Sequence, residues 1–127
     1  MLTSLSHVTV RSSDFDRSER FYCGLLGLRT GPRPAFSVPG RWFYLGDSAV
    51  LHVLPKLAGT DATTRGAIDH FALQASGLAS VEQRLSAAGQ PFDLRRQPET
   101  GVWQLFMTDP DGAVVELNFA NSEVRSG

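Results

Sequence analysis

All three histidines of the chain, together with one glutamate, hold positions that recur in its two halves. His7 and His70 lie 63 residues apart, and His52 and Glu116 lie 64 apart. His52 belongs to the segment AVLHVL and Glu116 to the similar segment AVVELN, so one place in a repeated strand carries an imidazole once and a carboxylate once. Neutral imidazole and carboxylate together are a ligand set suited to Fe, Mn, Ni, Co or Zn. The pattern therefore predicts a divalent-metal site.

The four residues lie in segments whose composition and alternation predict β-strands. Side chains alternate between the two faces of a strand, so Leu51 and Val53 lie opposite His52, and Val115 and Leu117 lie opposite Glu116. The segments around the other two histidines alternate in the same way. If helices cover the aliphatic faces, all four ionisable side chains point into the space that a curved sheet encloses.

The elements around these strands repeat as well. An amphipathic helix capped by Ser13 or Asp14 follows the first strand, and a second one, GLASVEQRLSAAG, follows the third of the four segments. Each half ends in a hairpin. We therefore predict two βαβββ modules, residues 1–55 and 66–121, within one domain that spans residues 1–127. The segment PKLAGTDATTRG between them reads as a linker, and the polar tail NSEVRSG is expected to fray.

The overall composition excludes several classes of protein. The 127 residues fit one domain, and a net charge of −1 offers no electrostatic basis for binding nucleic acid or an anionic membrane. The apolar runs are too short to span a bilayer, and the N-terminus lacks the features of a signal peptide. Cys23 is the only cysteine, which excludes an intrachain disulfide and fits a cytoplasmic setting.

Other residue types that often carry chemistry have a structural role open to them here. Cys23 follows Tyr22 in the first predicted helix and is interpreted as a small packing residue rather than a nucleophile. Trp42 and Trp103 flank the hairpins, where they can pack in the core or line a cavity. We take these two tryptophans as candidate substrate contacts.

Four segments resemble the vicinal oxygen chelate superfamily, which includes glyoxalase I, extradiol ring-cleavage dioxygenases, fosfomycin-resistance thiol transferases and bleomycin-binding proteins. The segments are SHVTV, DFDRSERFYCGLLGL, IDHFAL and QLFMTDPDGAVVELNF. The resemblance implies an α+β fold in which two βαβββ modules pair into a curved, cup-like mixed sheet with the helices on its outer face. It implies metal ligands at His7, His70 and Glu116, and it puts His52 at the position of a fourth.

The resemblance also implies a metal-dependent enzyme that binds a small substrate through two adjacent oxygens. If His52 is a ligand, an octahedral ion keeps two adjacent free positions, which favours a lyase or isomerase of the glyoxalase kind. If His52 is free, the ion has room for substrate and dioxygen, which favours an oxidoreductase of the ring-cleavage dioxygenase kind. His52 is then a candidate general base. Similar glyoxalases usually carry Glu at this position.

A different class of function is the alternative to an enzyme. A metal-free protein of the bleomycin-resistance type would sequester a toxin or antibiotic, although such proteins typically lack the ligand set and use aromatic, acidic clefts. The resemblance further implies a homodimer, because members commonly pair modules across two chains. The sequence leaves open the substrate, the metal, the role of His52, and whether the cup closes within one chain or between two.

Overall fold

The computed structural model describes residues 1–59 and 66–127. The chain divides into two compact units, Met1–Thr64 and Arg65–Gly127, called here the N-terminal and C-terminal units. Each unit has one four-stranded mixed sheet, and in each the elements follow the order strand, helix, three strands. The predicted α+β class and the two βαβββ modules are therefore confirmed. The assignment of residues 1–127 to one domain stays a prediction.

The N-terminal unit has the strand order β1-β4-β3-β2, with β1 parallel to β4. Its strands are β1 (Val8–Ser12), β2 (Arg29–Gly31), β3 (Arg41–Leu45) and β4 (Ser48–Pro55). The core lies on one face of this sheet, where the predicted aliphatic residues Leu51 and Val53 are buried next to Phe43. Burial of this face leaves His52 on the other, as the alternation predicts.

The segment that follows β1 is helical, but it is not the single α-helix that the sequence suggests. Asp14 caps α1 (Phe15–Glu19) by accepting hydrogen bonds from the backbone N–H groups of Asp16 and Arg17. The chain then continues as a π-helix, Arg20–Leu25. Phe21 and Tyr22 are both buried, and the wider turn accommodates two adjacent large side chains on the core side.

The C-terminal unit repeats this arrangement with the strand order β5-β8-β7-β6. Its elements are β5 (Phe71–Gln74), α2 (Leu78–Ala87), β6 (Asp93–Arg96), β7 (Trp103–Thr108) and β8 (Val114–Phe119). The helix α2 buries Leu78 and Leu85, and the core of this unit also contains Leu105, Val115 and Phe119. No helix within residues 1–59 and 66–127 has both the length and the hydrophobicity to cross a bilayer.

The C-terminal tail, which the sequence analysis expected to fray, is bound instead. The indole N–H of Trp103 donates to the backbone carbonyl of Glu123 at 2.9 Å. Glu82 of α2, a buried carboxylate, accepts from the N–H of Ser126 and pairs with Arg125. The prediction was wrong because the partners of this polar tail lie far from it in sequence. The predicted linker, by contrast, falls largely outside the described residues, since residues 60–65 are not among them.

Candidate functional site

His52 lies at the centre of an aromatic stack in the N-terminal unit. Its ring stacks on that of His7 at 3.7 Å between centroids and 15° between planes. It also stacks on the indole of Trp42 at 4.1 Å and 9°. The β-register explains this contact, because Trp42 of β3 and Thr9 of β1 lie directly opposite His52 of β4 on the two neighbouring strands. His52 is therefore in contact with His7, the other predicted ligand of this unit, and with Trp42, a predicted substrate residue.

The surroundings of His52 favour its neutral form. Burial, and then the proximity of His7, lower the pKa of His52 below the ordinary histidine value. A backbone hydrogen bond at Ala49 opposes this shift, and the positive charge of Arg33 adds to it. A neutral imidazole has a free lone pair with which it can bind a metal ion or accept a proton.

The two histidines that precede the first strand of each unit share one local arrangement. His7 and His70 stand immediately before β1 and β5 rather than inside them, because the parallel pairing begins at Val8 and at Phe71. In each case the preceding side chain contacts Nδ1. Ser6 Oγ lies 3.1 Å from Nδ1 of His7, and Asp69 Oδ2 lies 2.8 Å from Nδ1 of His70.

The Asp69 contact orients and polarises the His70 ring. An ionised carboxylate only accepts hydrogen bonds, so Asp69 favours the tautomer of His70 that carries its proton on Nδ1 and leaves the Nε2 lone pair free. The hydroxyl of Ser6 can donate or accept, so it fixes the orientation of His7 without selecting a tautomer. Neither contact was predicted from the sequence, although Ser6 and Asp69 each stand directly before a histidine at the repeat spacing.

Glu116 is the buried partner of His70 in the C-terminal unit. The residue is only 6% exposed, and its Oε2 lies 3.9 Å from Nε2 of His70. Two amides hold the carboxylate, since Gln104 donates to Oε1 at 3.1 Å and Asn118 donates to Oε2 at 3.2 Å. The buried Oδ1 of Asn118 has no hydrogen-bond partner within the described residues. A buried carboxylate held in this way, beside a ring nitrogen, is oriented to bind a cation.

Trp42 and Trp103, the two predicted substrate contacts, lie in different settings. Trp42 stacks on His52. Trp103 lies on the face of β7 opposite Gln104 and faces the C-terminal tail, with the guanidinium of Arg96 4.7 Å above its ring. Gln104 and Asn118 were missed by the sequence analysis, although the hairpin register pairs them directly and so puts them on the Glu116 face.

Within residues 1–59 and 66–127, no three His, Cys, Asp or Glu side chains form a group that could hold a metal ion. Each unit by itself supplies one pair of predicted ligands, His7 with His52 and His70 with Glu116. Cys23 lies elsewhere, in the π-helix, and burial together with the nearby charge of Glu19 raises its pKa to about 11. Its thiol is therefore protonated at neutral pH, in keeping with the predicted packing role.

An open groove of about 1130 Å³ runs over the His52 face of the N-terminal unit. Its walls combine flat rings with cationic side chains, and they include no Asp or Glu from the part of the chain that the structure describes. They include His7, His52, Trp42, Phe36, Arg11 and Arg33. The predicted ligand pair of this unit thus borders a space large enough for a small molecule.

Residues 4–117 match the model of the Glyoxalase/Bleomycin resistance protein/Dioxygenase superfamily. The chain belongs to this superfamily. The match covers both modules and confirms the resemblance to the vicinal oxygen chelate proteins. The superfamily contains enzymes and also binding proteins without catalytic activity, so membership leaves the activity of this chain to be determined.

One relative is similar to this chain in sequence, and two solved structures are similar to it in fold. "Glyoxylase I 4" of Arabidopsis thaliana is 30% identical over 123 residues, which are 91% of this chain and 70% of that protein. A glyoxalase family structure from Bacillus anthracis superposes with a TM-score of 0.78 at 19% identity, covering 94% of this chain and 97% of the other. TnmS3, an antibiotic binding protein from Streptomyces sp. CB03234, gives 0.73 at 17% identity, with coverage of 94% and 97%. The two structures show likeness of fold alone.

Proposed function

We propose that this chain is a divalent-metal-dependent enzyme that binds a small substrate through two adjacent oxygens. The observation that carries the proposal is the buried carboxylate of Glu116. Its Oε2 lies 3.9 Å from Nε2 of His70, and the side-chain amides of Gln104 and Asn118 donate hydrogen bonds to the carboxylate. Burying an ionised carboxylate is unfavourable unless a cation or hydrogen bonds compensate it. Amide hydrogen bonds compensate part of that loss, and a metal ion would compensate the rest.

The residues fit such an ion. His7, His52, His70 and Glu116 would hold it, with three imidazoles and one carboxylate as donors. The stacked pair is suited to this role because the pKa of His52 is lowered, which keeps its lone pair available. The contact of Asp69 with Nδ1 of His70 leaves Nε2 as the binding atom of that ring. This donor set suits Fe, Mn, Ni, Co or Zn.

The side chains around the ion would then have distinct roles. A bound divalent ion supplies a Lewis acid that polarises the oxygens of the substrate. Asp69, Gln104 and Asn118 orient the ligands, and Trp42 offers a flat surface beside His52. If His52 binds the ion, we expect lyase or isomerase chemistry. If His52 is free, it accepts a proton from the substrate, and dioxygenase chemistry becomes the better proposal.

The ligand count is tested by metal content. Elemental mass spectrometry on untagged protein should find nearly one metal per chain in the wild type, with His52→Ala beside it and Thr9→Ala as the control on the same face. Strong loss in His52→Ala alone would support a four-ligand site. Metal retained in His52→Ala would support a triad of His7, His70 and Glu116, and oxygen consumption with catechols would be measured next.

The alternative is a metal-free binding protein of the bleomycin-resistance type. The rings that line the groove of the N-terminal unit favour it, and so does the shared fold of an antibiotic binding protein. Among residues 1–59 and 66–127, no acidic side chain lines the groove, which argues against a cleft of the acidic kind. Wild-type protein that holds no metal after reconstitution, yet binds an aromatic drug, would replace the enzyme proposal with this one.

We further propose that the protein works as a homodimer in the cytoplasm, where the unpaired thiol of Cys23 would stay reduced.

Whether one ion takes both ligand pairs from a single chain can be tested by co-expression of two variants. One variant carries His7→Ala and His52→Ala, and the other carries His70→Ala and Glu116→Ala. If each ion takes one pair from each chain, random pairing restores about a quarter of the wild-type metal, because about half of the dimers are mixed and each has one intact site. If both pairs come from one chain, no metal is restored.

A further inference from the structure

The groove of the N-terminal unit has an unbalanced charge. Arg11 and Arg33 both line it, and no carboxylate of the described residues does. Neither arginine forms an ion pair within the described residues, in contrast to Arg41 on the opposite face of β3, which pairs with Asp16 and Glu19. A cavity that carries guanidinium charge without a counter-charge attracts anions.

The two guanidinium groups differ in what they contact. Arg11 donates through Nη1 to the backbone carbonyl of Pro55 at 3.1 Å. Arg33 donates through Nη2 to the carbonyl of Val38 at 3.0 Å, but its Nε is buried and has no partner within the described residues. A buried N–H without an acceptor is unfavourable, and the penalty is relieved when a ligand supplies the acceptor.

Local packing fixes where the Arg33 guanidinium lies. Its central carbon is 4.9 Å from the centroid of the Phe36 ring. Gly40 gives it room, because a methyl group there would lie 2.8 Å from Nη2 of Arg33 and 2.6 Å from the carbonyl oxygen of Val53. The group is therefore held in place rather than free to extend into water, which reduces the entropy lost when it binds an anion.

Flat apolar surfaces adjoin this cation. The ring of Phe36 lies 6.2 Å from that of Trp42, and Trp42 stacks on His52. Phe36 is 55% exposed, so a large part of its surface is open to a ligand. A molecule with a planar apolar part and one anionic group would match the rings and the guanidinium together.

We infer that the groove is a binding site for a small organic anion, whose carboxylate or phosphonate pairs with Arg33 while its flat apolar part lies against Phe36 and Trp42. The identification of this anion as the substrate rests on the proposed function, whereas the binding site itself does not. Arg33 is thus a specificity-determining residue, which selects anionic molecules over neutral ones of the same shape.

The test uses full-length protein stripped of metal with a chelator, at about pH 8, above the ordinary titration range of imidazole. Isothermal titration calorimetry compares benzoate, phenylphosphonate and the neutral benzamide. We expect saturable binding of the two anions and at least about tenfold weaker binding of benzamide. Arg33→Gln should lower anion affinity to the benzamide level, and Arg33→Lys should fall between, because lysine keeps the charge and loses the planar fork. Arg29→Gln, which removes the same charge outside the groove, should change nothing.

Equal binding of benzoate and benzamide would overturn the inference. So would unchanged anion binding in Arg33→Gln, or no anion binding up to about 10 mM, a weak affinity for a fragment of this size. The wild-type metal content, measured separately, distinguishes the two proposals. Metal without anion binding would leave the metalloenzyme standing, and anion binding without metal would leave a binding protein for organic anions.

Discussion

The two units use the same β-framework to hold candidate ligand pairs of different chemistry. In the N-terminal unit, the pair His7 and His52 is held by stacked rings, with Trp42 as the third member. In the C-terminal unit, the pair His70 and Glu116 is held by polar contacts from a carboxylate and two amides. The strand register is equivalent, since His52 pairs with Thr9 of β1 as Glu116 pairs with Ala72 of β5.

The two units therefore offer different kinds of donor to a cation. Burial and the proximity of His7 lower the pKa of His52, so this imidazole offers a lone pair without charge. The C-terminal unit brings negative charge and the hydrogen bonds that orient it. The repeat thus keeps the positions of the candidate ligands, while the C-terminal unit supplies a carboxylate and the N-terminal unit supplies two imidazoles.

The largest effect on metal affinity is expected in the C-terminal unit, at Glu116. Glu116→Gln keeps the shape of the side chain and removes the charge that compensates the cation, so metal affinity should fall by about 100-fold or more. A competition titration with a coloured chelator measures it. Glu82→Gln is the matched control, because Glu82 is a buried carboxylate of the same unit that binds the tail. Equal loss in both variants would assign Glu116 a structural role only.

A smaller effect should separate the two Nδ1 contacts. Asp69→Ala removes the carboxylate that orients and polarises His70, and we expect a loss of metal affinity of about 10-fold to 100-fold. Ser6→Ala removes a neutral contact to His7 and should cost less. Asp69→Asn should recover part of the loss by keeping a hydrogen bond at Nδ1. If Ser6→Ala were the more damaging change, the proposed division between the units would be wrong.

The smallest effect is expected in the N-terminal unit, on the pKa of His52. In metal-free protein, NMR titration should find that the pKa of His52 is below the ordinary histidine value, and His7→Ala should raise it. Thr9→Ala is the control. Because the folded-state pKa is lowered, this histidine contributes stability that is fully present above the unfolded-state pKa and is lost as the pH falls through the folded-state pKa. A His52 pKa at or above the ordinary histidine value would contradict the interpretation of His52 as a neutral donor.

The sequence predicted those features that depend on local periodicity. Alternation placed Leu51 and Val53 opposite His52, which their burial confirms. The repeat spacing selected the four candidate ligands, and their role as ligands stays a prediction. The contacts of Gln104 and Asn118 with Glu116 were not predicted from the sequence. They depend on the register of a hairpin, and side-chain amides are also common on an exposed strand face. The Glu82–Arg125 pair was not predicted either, because a charged residue on a helix is ordinarily exposed. Here Glu82 is buried and contacts the tail.

We propose that one divalent ion is bound by three imidazoles and one carboxylate. X-ray absorption at the metal edge of the reconstituted protein measures this directly, since imidazole rings give a characteristic multiple-scattering signal. We predict three imidazoles in the wild type, two in His52→Ala, and nitrogen and oxygen neighbours only. A wild-type spectrum with one imidazole or none, or one that does not change in His52→Ala, would contradict the four-ligand account.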